Sequence, residues 1–465
     1  MNTESITEAR DALNKSCPGL KISTEQEVLH SHRQDWTRYR KPDPAAVVFP
    51  ESAKQVQQLV RAAVQSGFSL VPSGGRTGLS GGAVAADGEV VVSFDRMRQV
   101  LDFNPVDRTV TVEAGVVTAA VQSLAAEHRL YYPVSFASEG SSQMGGNIAT
   151  NAGGIRVLRY GLTRERVVGL KVVTGRGDLI ECNRGLVKNA SGYDLRHLFI
   201  GSEGTLGLIV EATLQLVDPP LPSKVLLLGV ENMEALMKVF GELRDSLELT
   251  AFEFFTDRCL HHVRKAGSLP APFETYCPLY LIAEFDCPGE AEEDRAMACF
   301  ERCAEQGWLL DGVISQSDRQ IEELWRYREG ISESISHFPP YKNDLSVRVS
   351  QVPEFLSRME VLMAEVCPDF EVLWYGHIGD GNLHLNILKP AELSLEEFES
   401  RSHEISEKTY SLTQEIGGSI SAEHGIGMLK QPWLYRTRSE SEIELMRGIK
   451  QVFDPAGILN PGKLL

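Results

Sequence analysis

Residues 72–83 read Pro72-Ser73-Gly74-Gly75-Arg76-Thr77-Gly78-Leu79-Ser80-Gly81-Gly82-Ala83, with five glycines in twelve positions. Glycine lets backbone N–H groups approach a pyrophosphate closely, and it adopts φ values that other residues avoid. Residues 144–154 form a second glycine-rich segment, and residues 201–207 form a third. The first two segments lack the spacing of a Rossmann fingerprint or a P-loop. Tight turns explain most single glycine clusters, but three of them together favour a large bound cofactor.

The order of strand-like and helical segments predicts an α+β fold with two lobes. Strand-like runs at 109–113 and 167–174 alternate with glycine turns, so residues 1–218 are expected to form one cofactor-binding domain, with its core from about residue 42. Pro219-Pro220-Leu221-Pro222 marks a boundary. The strand–helix–strand alternation that follows predicts an antiparallel α+β domain over residues 219–425. Residues 426–465 are expected to form a terminal helical segment that packs back on the first domain.

Composition and charge restrict the class of protein. A chain of 465 residues exceeds what one hydrophobic core usually supports, and a net charge of −18 argues against nucleic acid or an anionic membrane as partner. No apolar run is long enough to span a bilayer, and the first residues show neither a secretory nor a mitochondrial leader. The eight cysteines contain no C-x-x-C pair, so they are expected to be buried thiols in a reducing compartment. The expected location is the cytoplasm.

Residues 373–386, Leu-Trp-Tyr-Gly-His-Ile-Gly-Asp-Gly-Asn-Leu-His-Leu-Asn, suggest a metal site. A type I′ turn at Asp380-Gly381 would pair His377 with His384 across two strands and would place Asn386 on the same side. Glu423, in a glycine-rich setting, is the candidate third ligand. Two histidines and one glutamate form a familiar catalytic zinc set. The alternative is that the histidines are polar hairpin residues without a metal.

A second group of polar residues suggests a carboxylate receptor. Arg328 and Ser332 lie one helical turn apart, and Lys342 follows at the head of a strand-like run. A guanidinium, a hydroxyl and an ammonium group that converge would bind a carboxylate. From spacing alone, surface charges remain the alternative interpretation.

These motifs together resemble flavoproteins of the vanillyl-alcohol oxidase superfamily, in the branch of D-2-hydroxy acid dehydrogenases. The resemblance covers the chain from about Pro42 onward, including Gly192-Tyr193-Asp194-Leu195 and Asn460-Pro461-Gly462-Lys463. It implies a p-cresol-methylhydroxylase (PCMH)-type FAD-binding domain and a cap domain over the isoalloxazine ring. The FAD is expected to be non-covalent, because residues 72–83 and 138–154 contain no His or Cys. The implied cofactor-binding residues are Pro72, Gly74, Gly75, Arg76, Thr77, Gly78, Leu79, Ser142, Gly145, Gly146, Asn147, Thr150, Asn151, Gly153, Glu203, Gly207, Ile209 and Asn460.

Within that branch, Arg328, Ser332 and the run Tyr341-Lys342-Asn343-Asp344-Leu345 are similar to a motif of D-2-hydroxyglutarate dehydrogenases. The resemblance implies that Arg328, Ser332 and Lys342 hold the distal carboxylate of the substrate, whereas lactate has no such group. A buried ammonium left unpaired by a short substrate would be penalised. D-Malate, one methylene shorter than 2-hydroxyglutarate, is expected to be a weaker substrate.

The mechanistic hypothesis combines the two groups of residues. A metal on His377, His384 and Glu423 lowers the pKa of the C2 hydroxyl, His424 takes the proton as general base, and Asn386 orients the C1 carboxylate. Hydride passes from C2 to flavin N5. Zinc is the default metal, with cobalt or manganese as alternatives. The resemblance implies an electron-transfer flavoprotein or a quinone pathway as acceptor rather than NAD, and a homodimer is the candidate assembly.

Three other functions compete with this hypothesis. A D-lactate or glycolate dehydrogenase of the same fold lacks only the distal carboxylate receptor. A zinc hydrolase would use two histidines and a glutamate equally well for water activation, but it would be colourless. A catalytically silent flavin-binding subunit would retain the cofactor and would not depend on Glu423.

Overall fold

The computed structural model describes residues 13, 16–37, 42–338 and 340–465. The chain divides into two compact units, which are described separately. Unit 1 contains the described residues up to Gly154, together with Gly161–Pro219 and Glu423–Leu465. Unit 2 contains Ile155–Tyr160 and Pro220–Ala422.

Unit 1 contains two β-sheets. In the four-stranded sheet, of order β1-β2-β4-β3, β1 is antiparallel to β2, whereas β4 is parallel to both β2 and β3. The five-stranded sheet, of order β5-β6-β9-β7-β8, is antiparallel throughout. The strands are β1 (Lys21–Ser23), β2 (Ala46–Phe49), β3 (Leu70–Ser73), β4 (Val90–Ser93), β5 (Val100–Asn104), β6 (Thr109–Glu113), β7 (Val167–Thr174), β8 (Leu179–Cys182) and β9 (Gly207–Gln215).

The helices of unit 1 pack against these sheets around a large hydrophobic core, and a smaller cluster of Val47, Phe49, Val71, Ala85 and Val91 lies beside helix Gln26–His32. Helix Ala53–Ser66 illustrates why they form where they do. The Ser52 hydroxyl accepts a hydrogen bond from the Gln55 N–H at 3.3 Å, and Gly67, with φ of 70°, ends the helix. The other helices are Gln26–His32, Thr118–Glu127, Met144–Thr150, Thr163–Arg166, Arg196–Phe199, Glu440–Phe453 and the 3₁₀ helix Gln431–Arg436.

Unit 2 is built on a seven-stranded antiparallel sheet of order β13-β10-β12-β11-β15-β16-β14. Its strands are β10 (Ser223–Val230), β11 (Leu249–Thr256), β12 (Leu279–Asp286), β13 (Asp311–Ile314), β14 (Tyr341–Ser346), β15 (Glu371–Gly376) and β16 (Asn382–Leu388). Its helices are Val157–Tyr160, Met233–Ser246, Asp257–Gly267, Glu290–Glu305, Asp318–Glu329, Ile331–Ser334, Val352–Val366, Leu395–Glu415 and the 3₁₀ helix Val349–Gln351.

The two faces of this sheet pack differently. On one face, Phe252 contacts Phe240 of helix Met233–Ser246, and Asn343 accepts a hydrogen bond from Tyr410 of helix Leu395–Glu415. On the other face, Phe255 and Tyr375 pack with residues of helices Asp257–Gly267 and Asp318–Glu329 in one core cluster. Directly opposed residues of antiparallel strands point to the same side of a sheet. His384 of β16 and Asp344 of β14 align with Tyr375 and therefore lie on this second face.

The local patterns predicted two strands to the residue, whereas one glycine-rich segment was misassigned. The strands at 109–113 and 167–174 are confirmed. Residues 144–150, expected to be part of a loop, form a short helix instead. The helix follows the strand-like residue Gln143, and the left-handed Asn151 ends it. Among the described residues, we find no helix of the length and apolarity that crossing a membrane would require.

Candidate active site

The connection between β15 and β16 differs from the predicted two-residue turn. The strands pair in a register that places Tyr375, not His377, opposite His384. Of the two expected turn residues only Gly381 has positive φ (85°), which excludes a type I′ turn. The Gly379 N–H instead donates to the Phe252 carbonyl at 3.0 Å, and the Asp380 carboxylate accepts from the Asn382 N–H at 3.0 Å. The predicted register was wrong because these contacts stabilise a longer loop.

The two histidines nevertheless lie close together. Their ring centroids are 5.2 Å apart, and the rings are nearly perpendicular at 81°. Both side chains are buried. His377 Nδ1 lies 2.7 Å from Oε1 of Glu253, a residue of β11 that the sequence did not single out.

Asp344 is a further acidic residue beside His384. It is the cross-strand partner of His384 in β14, is fully buried, and places Oδ1 at 3.7 Å from His384 Nδ1. The same Oδ1 accepts a hydrogen bond from the Asn382 amide at 2.7 Å. Oδ2 accepts from the backbone N–H of Ala422 at 3.1 Å, which ties the residue preceding Glu423 to this strand.

Both units contain side chains that suit a metal ion. In unit 2, Asp344 and His384 are cross-strand partners, and His377 lies beside them. In unit 1, Glu423 and His424 are adjacent in the chain, residues 422–424 form a bend, and Gly425 has φ of 81°. Carboxylate oxygens and imidazole nitrogens suit a divalent ion such as zinc. Asp344 is an addition to the metal-ligating residues that the sequence predicted.

The predicted carboxylate receptor centres on Tyr375. Arg328, in helix Asp318–Glu329, lies over the Tyr375 ring with its guanidinium carbon 4.8 Å from the centroid. The Ser332 hydroxyl is 3.0 Å from the Tyr375 hydroxyl. Burial raises the pKa of Tyr375, although the bond to Ser332 opposes the shift. The hydroxyl therefore stays protonated and can donate a hydrogen bond.

Lys342 and Asn386 lie at the same end of the sheet. They are cross-strand partners in β14 and β16, two residues from the Asp344–His384 pair and on the same face. The predicted placement of Asn386 on the His384 side of the strand is thus confirmed. The Asn386 Oδ1 atom is buried and has no hydrogen-bond partner among the described residues.

Unit 1 contains a cleft between its glycine-rich segments. Most of the residues predicted to bind the cofactor line this cleft, namely Pro72, Gly74, Gly75, Arg76, Thr77, Gly78, Gly145, Gly146, Asn147, Thr150, Glu203, Gly207 and Ile209. The lining also contains Ser80, Gly82, Ala83, Ala149 and Gly204, which belong to the three glycine-rich segments. The sequence did not indicate the remaining lining residues, Asp35, Phe94, Ala114, Gln143 and Leu208. Phe94, Ala114 and Leu208 carry no local signal, because they reach the cleft only through sheet packing.

The remaining predicted residues, Leu79, Ser142, Asn151, Gly153 and Asn460, lie outside the lining. The Ser142 hydroxyl pairs with Thr118 at 2.7 Å, so it turns away into the protein. The Asn460 amide donates to the Glu203 carbonyl at 2.7 Å and to the Gly82 carbonyl at 2.9 Å. Asn460 therefore supports the walls of the cleft.

The cleft fits an extended dinucleotide such as FAD. At Gly75 a Cβ would overlap the Ser141 carbonyl oxygen, and at Gly145 it would lie 2.8 Å from Ala114 Cβ, so backbone forms these walls. Arg76 and Glu203, which both line the cleft, have left-handed φ of 59° and 52°, a conformation that is uncommon for non-glycine residues. Burial raises the pKa of Glu203, while the N–H groups of Ile426 and Gly427 donate to its carboxylate.

Comparison with known proteins agrees with this geometry. The family model described as "FAD binding domain" matches residues 44–183, and "FAD linked oxidases, C-terminal domain" matches residues 220–464. A solved structure of p-cresol methylhydroxylase with substrate bound superposes with a TM-score of 0.75 at 14% identity, covering 99% of this chain and 96% of that one. The predicted PCMH-type α+β fold is confirmed.

Curated relatives are similar over nearly the full length. A D-2-hydroxyglutarate dehydrogenase of Stutzerimonas stutzeri (strain A1501) is 55% identical, over 96% of this chain and 96% of that protein. Another, of Xanthomonas citri pv. viticola, is 55% identical over 97% of this chain and 96% of that protein. With both domain models and these identities, the chain belongs to the family of FAD-linked D-2-hydroxyglutarate dehydrogenases.

Proposed function

We propose that this protein oxidises D-2-hydroxyglutarate to 2-oxoglutarate in an FAD- and metal-dependent reaction. The observation that carries the proposal is the buried pair His377 and His384 of unit 2, whose ring centroids lie 5.2 Å apart. The buried Arg328 and Tyr375, on the same sheet face as His384, support a site for a second carboxylate. The names of the two bacterial relatives point to the same substrate.

The metal-binding role is proposed for His377, His384 and Glu423, with Asp344 orienting His384 through its Nδ1 side. A divalent ion there would supply a Lewis acid that lowers the pKa of the substrate's C2 hydroxyl. Zinc is the expected metal, since it binds histidine and carboxylate tightly. Cobalt or manganese would be substitutes.

The proton and the substrate are handled by side chains of this chain. His424 accepts the C2 hydroxyl proton as general base, since a neutral imidazole offers a nitrogen lone pair to a proton. Asn386 orients the C1 carboxylate, and Arg328, Ser332 and Lys342 hold the distal one. FAD, when bound, supplies the oxidant that accepts the C2 hydride at N5, so the alcohol becomes a ketone.

A substrate panel with an artificial electron acceptor tests the proposal. The expected order of kcat/KM is D-2-hydroxyglutarate, then D-malate, then D-lactate and glycolate. A chelator should abolish turnover, and zinc, cobalt or manganese should restore it. Full activity in protein shown by elemental analysis to be free of divalent metal would contradict the metal role.

The Lys342→Met variant separates this function from a D-lactate or glycolate dehydrogenase. Methionine keeps the length of the side chain but removes the ammonium group, so activity on dicarboxylates should fall by tenfold or more, as for a lost charged hydrogen bond. Activity on D-lactate should change little. Equal kinetics of variant and wild type on D-2-hydroxyglutarate would favour the monocarboxylate enzymes.

For the cell, we propose the cytoplasm as the location and an electron-transfer flavoprotein or a quinone pathway as acceptor. All eight cysteines are buried free thiols, which suits a reducing compartment. Reduction of a purified electron-transfer flavoprotein by the substrate-reduced enzyme would test the acceptor. A failure of that transfer, with quinone analogues reduced, would favour the second route.

A further inference from the structure

The Glu253 side chain contacts two residues of the proposed site. It lies on β11 and has no exposed surface. Its Oε1 atom is 2.7 Å from His377 Nδ1. Its Oε2 atom accepts a hydrogen bond from Arg328 Nε at 2.9 Å, and Arg328 Nη2 forms an ion pair with it at 2.8 Å. Each carboxylate oxygen thus serves a different residue.

The position of Glu253 is fixed by the strands around it. Phe254 and Phe255 pair with Gly376 and Tyr375, so β11 runs directly beside the end of β15, after which His377 follows. The Phe252 carbonyl accepts the Gly379 N–H at 3.0 Å, which ties the loop to the same strand. A buried carboxylate is tolerated only when it is paired and hydrogen-bonded. Both conditions are met here by the two site residues.

The bond to Glu253 defines the tautomer of His377. A carboxylate accepts, so Nδ1 carries the proton, and Nε2 is the nitrogen with the lone pair. Carboxylate–histidine–metal arrangements of this kind fix the ring orientation and make the imidazole more basic.

The same carboxylate sets the orientation of Arg328. Arg328 Nε and Nη2 interact with the Glu253 carboxylate, so the Nη1 amino group is the one that can donate to a ligand. The guanidinium is also held against the Tyr375 ring at 4.8 Å, and Tyr375 is 3.0 Å from Ser332. A planar guanidinium fixed on two sides binds a carboxylate in one orientation.

We propose that Glu253 is a positioning residue that aligns the metal ligand His377 and the carboxylate-binding Arg328 with each other. It touches neither substrate nor metal. One side chain thereby sets both the metal affinity and the affinity for the distal carboxylate. This inference rests on the proposed function, since it assigns His377 to the metal and Arg328 to the substrate.

The Glu253→Gln variant tests the inference. Its amide has the shape of the carboxylate, but it cannot accept from both partners with full charge. Zinc binding, measured by equilibrium dialysis of the FAD-loaded protein and elemental analysis, should weaken by about 10–100-fold. The KM for D-2-hydroxyglutarate should rise by roughly tenfold. The flavin content should stay at the wild-type level.

Glu284→Gln is the matched control. Glu284 is a buried carboxylate on β12 of the same sheet, and it binds Arg156 Nε at 2.9 Å and the Trp325 indole N–H at 2.9 Å. Burial would raise its pKa, but its bonds to Arg156, Thr250 and Trp325 lower it overall. Its loss therefore removes a buried ion pair of the same kind. Zinc affinity and KM should remain near the wild-type values in this variant.

The Glu253→Asp variant provides a second test of zinc affinity and KM if the Glu253→Gln variant loses its flavin. The shorter aspartate keeps the charge but cannot reach both His377 and Arg328, so zinc affinity or KM must depart from wild type. Wild-type values of both in either Glu253 variant would overturn the inference. A wild-type protein that works without metal would instead defeat the proposed function, and this is measured before any variant.

Discussion

Tyr375 shows how one side chain can organise a site without being recognisable in the sequence. It is buried, lies under Arg328, faces Ser332 at 3.0 Å, and is the cross-strand partner of His384. It stands within the segment that pointed to a metal, yet a tyrosine in a strand is most simply a core residue. The roles of Glu253 and Asp344 could not be recognised from the sequence either. Only the pairing of distant strands brings them to the predicted residues.

The Tyr375→Phe variant should bind the substrate less well. It loses the hydroxyl at Ser332 but keeps the ring under Arg328, and one neutral hydrogen bond contributes about 0.5–1.5 kcal/mol. We therefore expect the KM for D-2-hydroxyglutarate to rise about two- to tenfold, with bound zinc unchanged. Steady-state kinetics with an artificial acceptor would measure this.

Tyr327→Phe serves as the control for that variant. The Tyr327 hydroxyl donates to the Pro270 carbonyl at 3.2 Å in the same unit, and the residue is also buried. Its removal should leave KM unchanged. If the two variants have the same KM, Tyr375 does not orient the receptor.

At the scale of elements, local patterns predicted what depends on local causes. Strands 109–113 and 167–174 were predicted from short-range sequence patterns, and both are found with those bounds. The hairpin register was not predictable in this way. It depends on the Gly379 N–H bond to Phe252, which lies in a strand far away in sequence. A two-residue turn signal therefore failed where a tertiary hydrogen bond competed with it.

The glycine-rich segments make the most direct prediction about an element. Gly75→Ala places a Cβ against the Ser141 carbonyl and must push apart two walls of the cleft. We expect the ratio of bound flavin to protein, read from the absorption spectrum after gel filtration, to fall at least severalfold. The backbone atoms of Ser141 cannot rotate away, as a side chain could.

Gly140→Ala is a close control for this change. Gly140 lies next to Ser141, and a Cβ there would meet no heavy atom within 4 Å. Its flavin content should equal that of the wild type. Normal flavin content in Gly75→Ala would show that the contact between the two segments is not required for FAD binding.

At the scale of the whole molecule, the sequence predicted the fold and the class of cofactor well. The glycine-rich segments 72–83 and 144–154 do contribute to one cleft. Less of the metal site was predictable, because strand pairing, rather than spacing in the sequence, brings Asp344 beside His384. The interruption of unit 1 by residues 155–160, which belong to unit 2, left no signal in composition.

The flavin should be released intact when the protein is denatured. Among the described residues that line the cleft, none is a histidine or a cysteine, the usual sites of covalent flavin attachment in this superfamily. Precipitation with acid should therefore leave the yellow colour in the supernatant and the pellet white. Flavin fluorescence of the pellet after washing would reveal a covalent bond.

The contacts of Asn460 have a consequence for biosynthesis. Leu459 forms a β-bridge with Leu70, and the Asn460 amide donates hydrogen bonds to the Glu203 and Gly82 carbonyls. These contacts complete the cleft, and they are made by residues that emerge from the ribosome after all of unit 2. Domains generally fold as their residues are translated. The cleft of the nascent chain therefore stays incomplete until the C-terminal residues have been translated. Binding of FAD is then expected to be one of the last events of the synthesis of the holoenzyme.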